Sequence, residues 1–414
     1  MQEWMKDPAA AVVRVKQELT RRIPDREARF RTLSTRVEKE VAAVAREERE
    51  GGAVPEIPYR DLAAGEVPAA LADRVRRRGC AVVRGVFPAE RIAAWNGQIG
   101  EYIERSRYLE KQRSRVGLDK YFATLGAASP QIYSLYWSKP QVQARQSEEL
   151  ARVRAALNRL WRQPASGPAF DSGRECSYAD RLRRRQPGDT TLGLSPHADG
   201  GSVERWCDPS YQQVYGEVFF GDPTRYDPFD ATHRVTTEEI PSPAVCSVFR
   251  TFQGWTAMSE QGPGDGTLQL IPIANLMGWL LLRALQPDVA PDDLCGAKAG
   301  KALPFDARWH EAASSALVSI PRVRPGDTVW WHSDLIHAVE REHKGKGSSN
   351  VIYIGAAPWC EKNAAFLPRQ AQAFLEGRSC PDFAAEDYEV DVEGRATVDD
   401  LTPLGKHQMG LAPW

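Results

Sequence analysis

The chain has 414 residues, 42% of them hydrophobic, enough to bury one large core or two smaller ones, so it reads as globular. Its 54 Lys+Arg against 55 Asp+Glu give a formal net charge of −1, which excludes a whole-chain field that would draw in nucleic acid or an anionic membrane. Seven cysteines, odd in number and never in a CxxC pair, exclude a disulfide framework and a zinc ribbon and read as reduced structural thiols.

The apolar run before Arg14 is five residues long, against about 7–15 for the core of a signal peptide. The longest apolar run, LMGWLLL at 276–282, falls short of the roughly 20 residues that a spanning helix needs. The expected compartment is therefore the cytoplasm, with neither nucleic acid nor membrane as partner.

Phe30, Leu33, Val37, Val41 and Val44 recur at spacings of 3, 4, 4 and 3 among Arg and Glu, which predicts an amphipathic helix starting soon after Pro24. Its apolar stripe is expected to pack on the domain or on a second copy of the chain as a homo-oligomer. Arg49-Glu50, Gly51-Gly52, Pro55 and Pro58 read as a stop and a linker, separating an N-terminal helical extension (1–55) from a single domain (56–414).

In 74–105 a charged helix end meets Gly79, a β-rich run at 80–83, Gly85, and then a helix with Pro88 near its first turn. Another helix is expected at about 147–162. From about 177 to 360 the character changes to short β-rich runs, AVCSVFRTF (244–252), GTLQLIPI (266–273) and DTVWWHS (327–333), separated by Gly/Pro turns. That punctuation suggests a sandwich or jelly roll, giving an α+β chain with flanking helices. Residues 274–319 interrupt the strands with helical LMGWLLLRAL and a loop rich in Pro, Asp and Gly, an insertion that could act as a lid. The C-terminal extension (361–414) reads as helical to Leu375 and irregular beyond.

LSPHADGG (194–201) places His197 and Asp199 two apart. In a strand such residues project from one face, so both can point at one spot, and Gly200-Gly201 lets the chain turn directly afterwards. HxD by itself occurs often by chance, and chelation needs a third ligand. RPGDTVWWHSDLIHAVE (324–340) offers two, His332 and His337. His337 can lie at a strand end facing the site, whereas His332, between Trp331 and Ser333, suits a structural place. Two histidines and one carboxylate form the facial triad typical of non-haem Fe(II) oxygenases.

These segments resemble a known superfamily. GCAVVRGVF with its following helix, HxD, FQGWTAM (252–258), GTLQLIP (266–272) and PGDTVWWHSDLIHAV are similar to phytanoyl-CoA-dioxygenase-like 2-oxoglutarate oxygenases, and HADGGSVERW, CSVFRTFQGWTAMS and GKHQMGLAPW to its YbiU-like branch. The resemblance covers roughly 70–414. It implies a double-stranded β-helix core, Fe(II) at His197, Asp199 and His337, 2-oxoglutarate as co-substrate, dioxygen, and oxidation of a small-molecule substrate with release of succinate and CO2. The superfamily commonly carries an arginine some ten or more residues after the distal histidine for the far carboxylate of 2-oxoglutarate. Here Ser348, Ser349 and Asn350 stand in that stretch. A dicarboxylate still calls for a guanidinium, because paired charge-assisted hydrogen bonds match its geometry. Arg250, Arg185 and Arg341 are the candidates, although Arg185 belongs to a run with Arg181, Arg183 and Arg184, and such runs usually face water. Trp255 suits either the co-substrate pocket or the core. Arg205 and Trp206 suit a pocket for an anionic substrate, or a packed pair. Two other readings use the same ligands: a non-catalytic β-helix protein binding metal or metabolite, and a zinc hydrolase, against which stands the lack of a general-base motif such as HExxH.

Overall fold

The computed structural model describes residues 3–65, 67–114, 130–191, 195–242 and 245–414. The predicted amphipathic stripe forms the helix Arg26–Glu50, which buries Leu33, Val37 and Val44. It packs on the helix Leu276–Arg283, where Phe30 stacks on Trp279 with ring centroids 5.6 Å apart. The stripe is thus spent on this chain's own core. LMGWLLL is the other half of that contact, with every residue from Leu276 to Leu282 buried. Among the described residues no helix is long and apolar enough to cross a membrane.

The strands run in chain order as β1 (Glu56–Pro58), β2 (Cys80–Arg84), β3 (Ile132–Tyr133), β4 (Asp171–Glu175), β5 (Leu182–Arg185), β6 (His197–Ala198) and β7 (Phe252–Ala257). They continue as β8 (Leu268–Leu270), β9 (Leu303–Pro304), β10 (Val318–Ser319), β11 (Thr328–Trp331), β12 (His337–Val339), β13 (Ser349–Ala356) and β14 (Pro358–Trp359). A seven-stranded sheet has the order β1-β2-β11-β7-β13-β5-β3, and a five-stranded sheet the order β10-β8-β12-β6-β9. Strand alternation divides the faces of the larger sheet. Trp330, Ile352, Ile354 and Ala356 pack outward against Ile92, Trp95 and Ile99 of the helix Ala89–Arg105 and against Leu150 and Val153 of the helix Glu148–Asn158. Val82, Trp255, Val329, Trp331 and Val351 turn inward and meet Leu268 and Leu270 of the smaller sheet. The chain is therefore mixed α+β, with two sheets packed through an inner layer. Residues 274–319 are woven into it, since β9 and β10 are the two edge strands of the smaller sheet.

One predicted strand is corrected. Of AVCSVFRTF only Phe252 is in a strand; residues 245–251 are irregular and residue 244 lies outside the described residues. Side chains satisfy this backbone in place of a neighbouring strand. Asn363 accepts from Phe249 N and donates to Phe249 O, both at 2.8 Å, and Asp382 accepts from Ser247 N at 2.7 Å. Asn363 and Asp382 come from more than a hundred residues downstream, beyond the reach of local periodicity. All seven cysteines are free.

Candidate metal centre

Antiparallel pairing sets His337 of β12 opposite His197 of β6, with the imidazole centroids 4.4 Å apart. Asp199, just past β6, closes the triangle: its carboxylate lies 3.6 Å from His197 Nε2 and 3.5 Å from His337 Nε2. One donor atom from each residue falls within 4.8 Å of the others. The chain turns away at once through Gly200 (φ 80°) and Gly201 (φ 92°), conformations that favour glycine.

Each imidazole is held by its other nitrogen. His197 Nδ1 lies 2.8 Å from Ser195 O, and His337 Nδ1 lies 3.1 Å from Leu335 O. A carbonyl oxygen only accepts, so Nδ1 carries the proton in both rings and the Nε2 lone pairs face Asp199. Burial, and secondly the neighbouring His197, push the His337 pKa down to about 4. Burial alone would raise Asp199, but the neighbouring His337, His197 and Arg250 and a hydrogen bond from Gln253 outweigh it and hold the carboxyl below its usual range. Two imidazoles that offer Nε2 and one carboxylate are a donor set suited to a divalent cation, so the residues present fit one. Around the corner, the Gln253 side chain reaches Asp199, and Trp331 Nε1 is a buried donor with no hydrogen-bond partner among the described residues; the Trp331 ring is 5.4 Å from that of His337.

The expected binding residues fall in different places. Arg205 is fully buried, and its guanidinium donates to Asp199 O at 2.7 Å, Gly201 O at 3.2 Å and Asp334 Oδ1 at 2.7 Å. It braces the ligand loop instead of facing a substrate. Trp206 is 1% exposed, in the core beneath the helix Leu276–Arg283, and donates to Leu281 O. It walls no pocket. Trp255 lies in the inner layer between the sheets. Arg341 is exposed, only its carbonyl turning inward to accept from Arg185 and Thr191 N. Arg185 is buried with its terminal nitrogens donating to the carbonyls of Gly266, Glu340, Asp189 and Arg341, so it is committed to the fold. Gly266, at φ 65°, has no room for a Cβ, which would sit 2.6 Å from Arg185 Nη1. The Arg250 carbonyl accepts from Ser333 Oγ at 3.0 Å, while its guanidinium makes no hydrogen bond or ion pair among the described residues; it lies over the Tyr178 ring at 5.5 Å, and its charge reaches Asp199 and His337.

Three contributors escaped sequence reasoning. Asp334, three residues before His337, is buried between Arg205 and Arg234, each at 2.7 Å, which hold it far below the carboxylate range against the cost of burial. Through Arg205 this cluster links the His337 segment to the Asp199 loop. Arg183 is the third. The run at 181–185 does not face water: β5 alternates, so Leu182 and Arg184 take one face while Arg183 and Arg185 turn in, 8% and 0% exposed. Arg183 donates one hydrogen bond, to Gly266 O at 3.2 Å. Its charge is felt by Tyr353, whose pKa burial raises and which also senses Asp199. The signal was available in the two-residue period of the run. His332 is structural, as expected: it is stacked on Trp161 with its ring nitrogens bonded to Pro228 O and Asp334 N.

The family model described as Gig2-like matches residues 7–411. The uncharacterized protein YbiU of Escherichia coli K12 is 43% identical over 409 residues, covering 98% of this chain and 97% of that protein. A crystal structure from Salmonella typhimurium LT2, provisionally described as an oxidoreductase, superposes with a TM-score of 0.92 at 43% identity, covering 99% of this chain and 98% of that one. GlcNAc Inducible Gene 2, GIG2 (DUF1479), from Candida albicans superposes with a TM-score of 0.82 at 28% identity, covering 97% and 89%. With the model matched along nearly the whole chain and YbiU alike from end to end, this protein belongs to the Gig2-like family.

Proposed function

We propose that this chain is a non-haem Fe(II)- and 2-oxoglutarate-dependent oxygenase that oxidises a small molecule, with the two packed sheets serving as a double-stranded β-helix. One observation carries the reading: two Nε2 lone pairs and one carboxylate converge from β6, its following turn and β12, with both Nδ1 protons anchored on backbone carbonyls. Three ligands on one side leave the other side of a cation open. The Salmonella relative's description as an oxidoreductase agrees with this chemistry.

When bound, Fe(II) and 2-oxoglutarate would couple decarboxylation of the keto acid to oxidation of a second substrate. The chain's own residues have defined tasks. His197, Asp199 and His337 hold the cation, and Arg205 fixes the Asp199 carbonyl so that the carboxylate cannot swing away. Arg183 suits the far carboxylate of the co-substrate, because its guanidinium is buried within the sandwich and makes only one hydrogen bond. Gln253, beside Asp199, and Trp331, beside His337, supply neutral donors next to the cation.

The test is succinate formation from Fe(II), 2-oxoglutarate and dioxygen by the purified chain, expected as slow uncoupled turnover. His197→Ala and Asp199→Ala are expected to abolish both it and Fe(II) binding. Full turnover in either variant, or turnover that persists under a chelator, refutes the reading.

A further inference from the structure

Beside the triad, on the Gly200 side, lies a second chamber. Gly200, Trp161, Phe249, Arg234, Arg250 and Ser333 are among the residues that line it. It holds about 40 Å³ of water-accessible space, a few times the volume that one water needs, which suits a compact group of three heavy atoms. Its charges do not balance. Arg205 and Arg234 share the single carboxylate of Asp334, Glu239 is neutralised by Lys362 at 2.9 Å, and Asp180 pairs with Arg181. His332, which also lines the chamber, is neutral, its pKa pushed down to about 3 by burial. Among the described residues the Arg250 guanidinium is left with no hydrogen bond and no ion-pair partner, and Asp199, whose charge it feels, belongs to the cation on the oxygenase reading. Arg234 retains a second unmet need, a buried Nε without any partner. A Cβ on Gly355 would lie 3.3 Å from Arg250 Cδ, so the bare backbone of β13 gives the arginine stem its seat. Buried donors left unsatisfied cost free energy unless a ligand completes them.

We propose that this chamber receives the carboxylate of the primary substrate, gripped by Arg250 with Arg234 Nε beside it. The word substrate rests on the oxygenase reading; the anion site does not. The two arginines then divide the work: Arg183, inside the sandwich at the Gly266 end, serves the co-substrate, and Arg250, next to the Gly200 turn, serves the molecule to be oxidised.

Saturation-transfer NMR with propionate, and with propionamide as its neutral twin, tests this directly. A five-heavy-atom anion can reach about millimolar affinity without exceeding the efficiency of very small ligands. Propionate is expected to bind roughly tenfold more tightly than propionamide, to lose that advantage in Arg250→Gln, and to keep part of it in Arg250→Lys, which retains the charge. Equal binding of acid and amide, no binding of propionate, or an Arg250→Gln variant that binds as wild type overturns the proposal, as does displacement of propionate by 2-oxoglutarate. A parallel titration with 2-oxoglutarate on wild type and Arg183→Gln separates the two readings. Propionate binding without 2-oxoglutarate binding sinks the oxygenase and spares the chamber, and the reverse sinks the chamber alone.

Discussion

Two sets of arginines, buried or half-buried, surround the same interior and differ in what answers them. Around Asp334 every partner is internal: Arg205 and Arg234 take its two oxygens, and the hydroxyls of Tyr215 and Tyr226 complete the carboxylate's shell at 3.2–3.3 Å. Arg185 is likewise consumed, by four backbone carbonyls. Among the described residues the Arg183 guanidinium makes one hydrogen bond and that of Arg250 none. Charges matched within the fold hold the loops around His337 and Asp199 in place; charges left unmatched are, on the proposed reading, those that take an anion from outside. A count of arginines around the site conveys neither role, and the partner list conveys both.

The largest expected effect falls on the matched set. Asp334→Ala leaves two guanidinium groups buried without their counter-ion and should cost about 3–5 kcal/mol of stability, read from the denaturant midpoint. A stability close to wild type would erase the distinction drawn here. Next comes the unmatched set. Arg183→Gln should weaken 2-oxoglutarate by about 10–100-fold while leaving the unfolding midpoint nearly unchanged, whereas Arg185→Gln should lower the midpoint first. The opposite pattern would exchange their roles.

The smallest effect is a pH dependence of the metal-free protein. Burial lowers His332 to about 3 and His337 to about 4, from an ordinary 6.5. The unfolded chain therefore binds more protons between roughly pH 6.5 and 4, so stability must fall as the pH drops through that window. His332→Gln should remove its share of the slope in denaturant titrations at successive pH values. A flat profile in wild type would place these rings in water.

The pair at 197 and 199 was readable because a two-residue spacing in a strand has one geometric meaning, and His337 because a turn and an aromatic strand lead up to it. The superfamily likeness had the same local basis, and the kinship with YbiU holds along the full chain. The arginines were misjudged for want of partners. Arg205 could not be separated from a substrate ligand without Asp334, 129 positions away, and the run at 181–185 looks solvated until β5 is set beside β13. The irregular course of 245–251 follows from Asn363 and Asp382 in the same way.

Sequence alone determined the periodicities: which residues share a strand face, where the amphipathic helix lies, and which side chains can donate to a metal, because these depend on neighbours within a few positions. Tertiary structure decided which charges are spent and which are free. That depends on what each guanidinium meets across the sandwich, and electrostatic satisfaction in a low-dielectric interior is a property of contacts between distant segments.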